Sequence, residues 1–277
     1  MKKIVTLLSL CLLAIPAFAQ TCCTSGNFEL LALNADFKAS HADPLPMSYA
    51  PVVGRMVEFE TQDAGMKGKA FYVPSDEPTS KVLVICHEWW GLNDYIKKEA
   101  ERWQKQLGNV DVYAVDLYDG KVAATADAAS KLSGALDKKR GETIIKGLIS
   151  LIGMNKQIAT MGWCMGGSWA FTTTLLAGNQ ATGCVMYYGF PEKDEKKIKT
   201  LQTDVLYIWA SKDKFISREV VDAFGKKVEA SGHKFDMHAY DAVHAFANPS
   251  NPNHDRLASA QAEDLSLKFL KEKLQLD

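Results

Sequence analysis

Short apolar runs recur between residues 82 and 240, and this recurrence constrains the fold more than any other feature of the chain. Four runs, at residues 82–86, 110–115, 157–161 and 183–188, are each followed by a stretch of helical character, and runs at 205–209 and 234–240 continue the series. The matching helices are expected at 94–107, 123–136, 141–152, 168–176, 217–230 and 254–274. A continuously apolar strand needs cover on both faces, and right-handed strand–helix–strand crossovers supply it. The expected class is therefore α/β, a mostly parallel central sheet with helices on both faces. Residues 55–60 and 67–73, separated by Gln62-Asp63-Ala64-Gly65, read as a preceding β-hairpin. No repeat, low-complexity tract or linker divides the rest of the chain, so residues 52–277 are expected to form one domain.

The N-terminal segment has a different texture. Lys2 and Lys3 precede an apolar stretch over residues 4–15, and Ala17-Phe18-Ala19 places small residues where a signal peptidase reads. Residues 1–19 are thus expected to be a signal peptide, too short to span a bilayer, and the mature protein to be periplasmic or secreted. Residues 20–51 read as an arm, with helical character only at 28–37. Beyond the cleavage point stand Cys22, Cys23, Cys86, Cys164 and Cys184, an odd number that leaves at least one thiol unpaired within a chain. Cys86 and Cys184 lie inside apolar runs and read as small buried hydrophobes. With 32 Lys plus Arg against 33 Asp plus Glu, the chain has no basic field to neutralise phosphates, so nucleic acid is not an expected partner. A small molecule is.

At the carboxyl edge of such a sheet, where function collects, Cys164 stands out. Gly162-Trp163-Cys164-Met165-Gly166 follows one strand and opens a helix, which is the nucleophile-elbow pattern with sulfur in place of oxygen. The elbow predicts an exposed thiol, and the helix N-terminus behind it predicts a bias toward thiolate. It also predicts an acid and then a histidine further along the chain. Asp213, after the run at 205–209, and His244, after the last strand, fall at those places; Asp204 lies at the wrong strand end, and Asp194 is the other competitor. His238 lies within the last strand and His254 at the start of a helix. Thiol, imidazole and carboxylate in this order suit acyl transfer. The backbone N–H groups of Met165 and Trp89 are the candidate oxyanion donors. The spacing of His233, His238, His244 and His254 matches no zinc motif, and neither a P-loop nor a dinucleotide fingerprint is present, so no metal or cofactor is expected.

Taken together, His87-Glu88-Trp89-Trp90-Gly91, Asp116-Leu117-Tyr118, Gly162-Trp163-Cys164-Met165-Gly166-Gly167, Tyr187-Tyr188-Gly189, Asp213 and His244-Ala245-Phe246 resemble the dienelactone hydrolases, a cysteine-nucleophile branch of the α/β-hydrolase superfamily. The resemblance runs from Val82 to the C-terminus. It implies the α/β-hydrolase fold, a Cys164–Asp213–His244 triad acting on an ester or lactone, and a Glu88 that contacts the resting thiol and assists its activation. Candidate substrate contacts are Trp90, Tyr118 and Lys121. Two positions depart from the family pattern: arginines that grip a substrate carboxylate are replaced by Gly120 and Asn248, which argues against an anionic substrate. Two other classes stay open on sequence grounds, a non-catalytic binding protein on a hydrolase shell and a thiol redox protein using Cys22 or Cys23.

Overall fold

The computed structural model describes residues 28–277. The expected signal peptide, Cys22 and Cys23 lie outside the described residues. Eight strands form one sheet in the order β1-β2-β4-β3-β5-β6-β7-β8. The hairpin strands β1 (Arg55–Phe59) and β2 (Gly68–Val73) pair antiparallel, and β2 also runs antiparallel to β4 (Asp111–Asp116). Every later ladder is parallel, joining β3 (Lys81–Cys86), β5 (Gln157–Trp163), β6 (Ala181–Tyr187), β7 (Val205–Ala210) and β8 (Phe235–Tyr240). β7 is buried at every position, as a strand covered on both faces must be. β8, at the sheet edge, is only half-buried and carries Asp236 and His238.

The helices follow their sequence signals closely. α3 (Asp94–Leu107) buries Ile96, Ala100, Trp103 and Leu107, one stripe of a 3.6-residue period, and the Asn93 side chain caps its first turn. α4 (Ala126–Gly134) is shorter than expected because Thr125 caps it three residues late. α5 (Lys138–Ile152), α6 (Met165–Ala177), α8 (Arg218–Ala230) and α9 (Arg256–Lys273) complete the layers. The lysine-rich run at 193–199 contributes one short helix, α7 (Glu195–Ile198), whose Ile198 is buried beneath the solvated charges. Cys86 and Cys184 are fully buried free thiols, as their apolar surroundings predicted.

The arm departs from expectation. It forms two helices where one was expected, α1 (Phe28–Ala32) and α2 (Ala35–Ala39), because Asn34 turns extended and its side chain accepts the N–H groups of Asp36 and Phe37. The arm also packs onto the domain. Leu31, Ala32 and Phe37 belong to the core. Ser130 Oγ donates to the Ala32 carbonyl, Leu45 N–H to the Ser250 carbonyl, and the Glu101 carboxylate accepts the N–H groups of Val52, Val53 and Gly54. These contacts fasten residues 28–54 across the carboxyl edge of the sheet.

Candidate active site

Cys164 sits where β5 becomes α6, at φ 55° and ψ −121°. A non-glycine residue tolerates this strained conformation only when its surroundings enforce it. The neighbouring glycines explain how. A Cβ on Gly162 would lie 2.1 Å from the Gly166 carbonyl oxygen, and one on Gly166 would lie 2.2 Å from the Cys86 carbonyl oxygen. The turn therefore closes only with hydrogen at both positions. Asp213 follows β7 and His244 follows β8, and the two side chains meet: His244 Nδ1 lies 2.6 Å from Asp213 Oδ2, with both side chains buried. The Asp213 Oδ1 atom accepts the N–H groups of Phe215 and Ile216, which fixes the carboxylate in its loop. His244 Nε2 has no hydrogen-bond partner among the described residues, and a ring nitrogen of His244 lies within 4.8 Å of the Cys164 sulfur. Asp204, the rejected competitor, instead pairs with Lys273 at the opposite strand end, and Asp194 caps α7.

Residues 69–274 match the model of the dienelactone hydrolase family. The chain belongs to that family. It is 27% identical over 235 residues to Protein usf of Aquifex pyrophilus, covering 80% of this chain and 100% of that one. It is 25% identical over 232 residues to carboxymethylenebutenolidase 1 of Cupriavidus pinatubonensis, covering 77% and 95% respectively. Among solved structures, a dienelactone hydrolase-like promiscuous phosphotriesterase from metagenomic libraries superposes with a TM-score of 0.67 at 18% identity, over 80% of this chain and 99% of that one. The α/β-hydrolase fold expected from the sequence is the fold observed.

Two expectations about the thiol fail against the structure. Cys164 is 1% exposed, and its thiol is pushed well above its ordinary pKa by burial first, then by the Glu88 and Asp213 carboxyl groups. The Met165 N–H opposes this shift but is outweighed. The helix N-terminus therefore does not prevail, since desolvation penalises the charged form more than one backbone donor favours it. The resting state of this site is a thiol.

What covers the thiol is the arm, which lies outside the residues matched to the family. Phe37 is wholly buried, its ring 5.2 Å from Trp89, 4.9 Å from Phe215 and 5.8 Å from His244. His41, 5% exposed, lies 5.3 Å from the His244 ring. Its Nδ1 is 2.7 Å from the Phe37 carbonyl oxygen, which can only accept, so Nδ1 carries the proton and Nε2 presents a lone pair. Burial, reinforced by His244, lowers the His41 pKa to about 3 and keeps the ring neutral. Nothing in the sequence around His41 marks it as part of a site; only the path of the arm brings it there. Tyr188 is a second such neighbour, its buried hydroxyl unpartnered among the described residues and its ring 5.1 Å from His244.

The other candidates divide. Trp89 is wholly buried, and Tyr118 Oη donates to its carbonyl while touching Met165 Sδ, so Tyr118 spends its hydroxyl on holding the loop. Glu88 accepts a hydrogen bond from Asn248 Nδ2, and Asn248 Oδ1 in turn accepts from Ser250 N–H and Oγ. Asn248, where the resemblance implied an arginine for a substrate carboxylate, instead spends its amide on Glu88 and Ser250. Gly120, the other departure, sits at φ 91° with its N–H on Asp116. A cavity of about 280 Å³ opens beside this cluster, lined in part by Glu88, Trp90, Trp163, Asn248 and Arg256. Lys121 is exposed and lies outside it.

Burial raises the Glu88 pKa from 4.5 to about 8, so the folded protein holds a proton there that the unfolded chain has already released. Stability from this group therefore declines as pH rises from about 4.5 to about 8, and the full penalty stands above that. Glu88→Gln keeps an acceptor for Asn248 and removes the ionisation. Its Tm relative to wild type is expected to rise by roughly 3 °C or more between pH 5 and pH 8.5. A difference that stays constant across that range would show that Glu88 does not titrate in the folded protein.

Proposed function

We propose that this protein hydrolyses a neutral carboxylic ester or lactone through a covalent intermediate on Cys164. The observation that carries this reading is the convergence of Cys164, His244 and Asp213 from three strand ends, with a His244 ring nitrogen within 4.8 Å of the thiol sulfur and Nδ1 on Asp213. Substrate first has to displace the arm residues Phe37 and His41. The thiol proton then passes to His244 Nε2 as Sγ attacks the carbonyl carbon, and Asp213 steadies the imidazolium. The carbonyl electron pair moves onto oxygen, held by the N–H groups of Met165 and Trp89. Collapse expels the alkoxide, which takes the proton from His244. In the second half, water gives a proton to His244 and attacks the thioester, releasing the acid and restoring the thiol. The protonated Glu88 keeps a negative charge away from the thiol. Relatives named carboxymethylenebutenolidase support a lactone or ester as the substrate class. An activated aryl ester is expected to give a burst of one leaving group per protein and an acyl mass on the Cys164 peptide. Absence of both would remove the covalent route.

The preference for a neutral substrate rests on the lost arginines. An arginine fork on a carboxylate is a strong charge-assisted contact, and removing one partner of such a pair costs on the order of 2–5 kcal/mol. Here one position is Gly120, and the other, Asn248, is committed to Glu88. Arg102, which also lines the cavity, is neutralised by Glu99 and Glu263. A neutral lactone is expected to show kcat/KM at least ~10-fold above its carboxylate-bearing analogue of matched leaving group. Preference for the anion would assign the anchor to Arg256, on the wall of the same cavity. The residue pattern at 1–19 supports action outside the cytoplasm. On this reading, the mature protein recovered from cells begins at Gln20; a chain retaining Met1 would argue against export.

A further inference from the structure

His41, Cys164 and His244 come from an arm helix end, the β5–α6 turn and the loop after β8, and one ligand atom of each lies within 4.8 Å of the other two. All three residues are buried. Both imidazoles present the same face. His41 Nδ1–H is held by the Phe37 carbonyl and His244 Nδ1 by the Asp213 carboxylate, while both Nε2 atoms are buried without a partner among the described residues. An imidazole oriented through Nδ1 by a carbonyl or a carboxylate, with Nε2 free, is the arrangement in which histidine binds a metal. A thiol stands as the third donor. Catalysis by the triad requires only one of these two histidines, so it leaves the orientation of His41 unexplained.

We propose that His41 Nε2, His244 Nε2 and Cys164 Sγ form a site for a borderline-soft divalent cation, with Zn²⁺ as the ion the donor set fits best. Two imidazoles and a thiolate leave a fourth tetrahedral position for water, and carboxylate-only ions such as Mg²⁺ and Ca²⁺ are disfavoured by these donors. Metal–nitrogen distances of about 2.0–2.1 Å and a metal–sulfur distance of about 2.3 Å require the three atoms to draw together by roughly 1 Å, a shift within reach of the arm. On binding, the Cys164 S–H bond breaks, its proton leaves to solvent, and a sulfur–zinc bond forms. The bound ion ties the arm to the sheet edge and occupies both Cys164 and His244. If the hydrolytic reading above is right, zinc is therefore a reversible inhibitor, but binding itself does not depend on that reading.

The test is titration of the purified full chain with Zn²⁺ by calorimetry and with Co²⁺ by absorbance. Wild type is expected to take one equivalent, release about one proton, and show sulfur-to-cobalt charge transfer with the visible bands of a tetrahedral ion. Cys164→Ser is expected to abolish the charge-transfer band. His41→Gln, whose amide can keep the Phe37 contact, is expected to weaken Zn²⁺ binding by about 100-fold or more. Absence of stoichiometric binding in wild type overturns the proposal. So does a charge-transfer band that survives Cys164→Ser, or wild-type affinity in His41→Gln. Should His41→Gln fail to fold, the wild-type stoichiometry and the Cys164→Ser spectrum decide alone. Zinc binding without esterase activity would overturn the hydrolytic reading and leave the metal site standing; esterase activity in a protein that binds no zinc would do the reverse.

Discussion

Cys164→Ala is expected to reduce ester hydrolysis to the background set by binding alone, a loss of about 10⁴-fold or more in kcat/KM. The magnitude follows from the residue's place in the mechanism. No other described thiol lies near His244, since Cys86 and Cys184 are buried in the sheet and touch threonine side chains, and burial pushes the Cys86 thiol up to about 12. The elbow backbone should survive the change, because alanine removes only sulfur from a turn closed by Gly162 and Gly166. Far-UV circular dichroism and Tm close to wild type would separate lost chemistry from lost structure. Cys164→Ser is expected to retain little activity, as a buried hydroxyl gives up its proton far less readily than a thiol. Undiminished turnover by the alanine variant would remove the nucleophile assignment.

His244→Ala is expected to cost roughly 10³–10⁴-fold in kcat, and Asp213→Ala less. The thiol of this site is held protonated by burial, so it does not supply its own anion, and the proton needs the His244 lone pair as its acceptor. Removing the ring removes both the acceptor and the later donor. Asp213 acts one step back: through its 2.6 Å contact it sets the tautomer and balances the imidazolium charge. Its loss leaves a base that can still rotate into place. If iodoacetamide labels Cys164 in His244→Ala as fast as in wild type across pH 6–9, His244 is not the acceptor of the thiol proton. If His41→Ala loses as much kcat as His244→Ala, the second imidazole shares that role.

Much of this architecture was legible because the signals are local. The strands at 82–86, 157–161 and 205–209 announce themselves as apolar runs too uniform to face water, and α3 by its buried stripe and Asn93 cap. The elbow was readable because glycine is the only residue that fits two positions where backbone approaches backbone. Asp213 and His244 were readable by chain order, since strand ends in a parallel sheet share one edge.

The errors concern what lies across that edge. Exposure of a thiol at an elbow is a property of the loops above it, and here an arm some 120 residues earlier in the chain closes the site. Its burial reverses the charge state that the helix N-terminus suggested, because desolvation is set by every surrounding atom and not by the adjacent turn. Histidine spacing shows no metal motif within any one segment and is silent on His41 and His244, which meet through folding alone. The sequence by itself determined the order of strands and helices and the strand-end positions of Cys164, Asp213 and His244, because periodicity and backbone sterics act over a few residues. Only the tertiary structure decided that the thiol rests protonated beneath Phe37 and His41, and that Asn248 holds Glu88, because solvation and side-chain pairing depend on which distant segments the fold brings together.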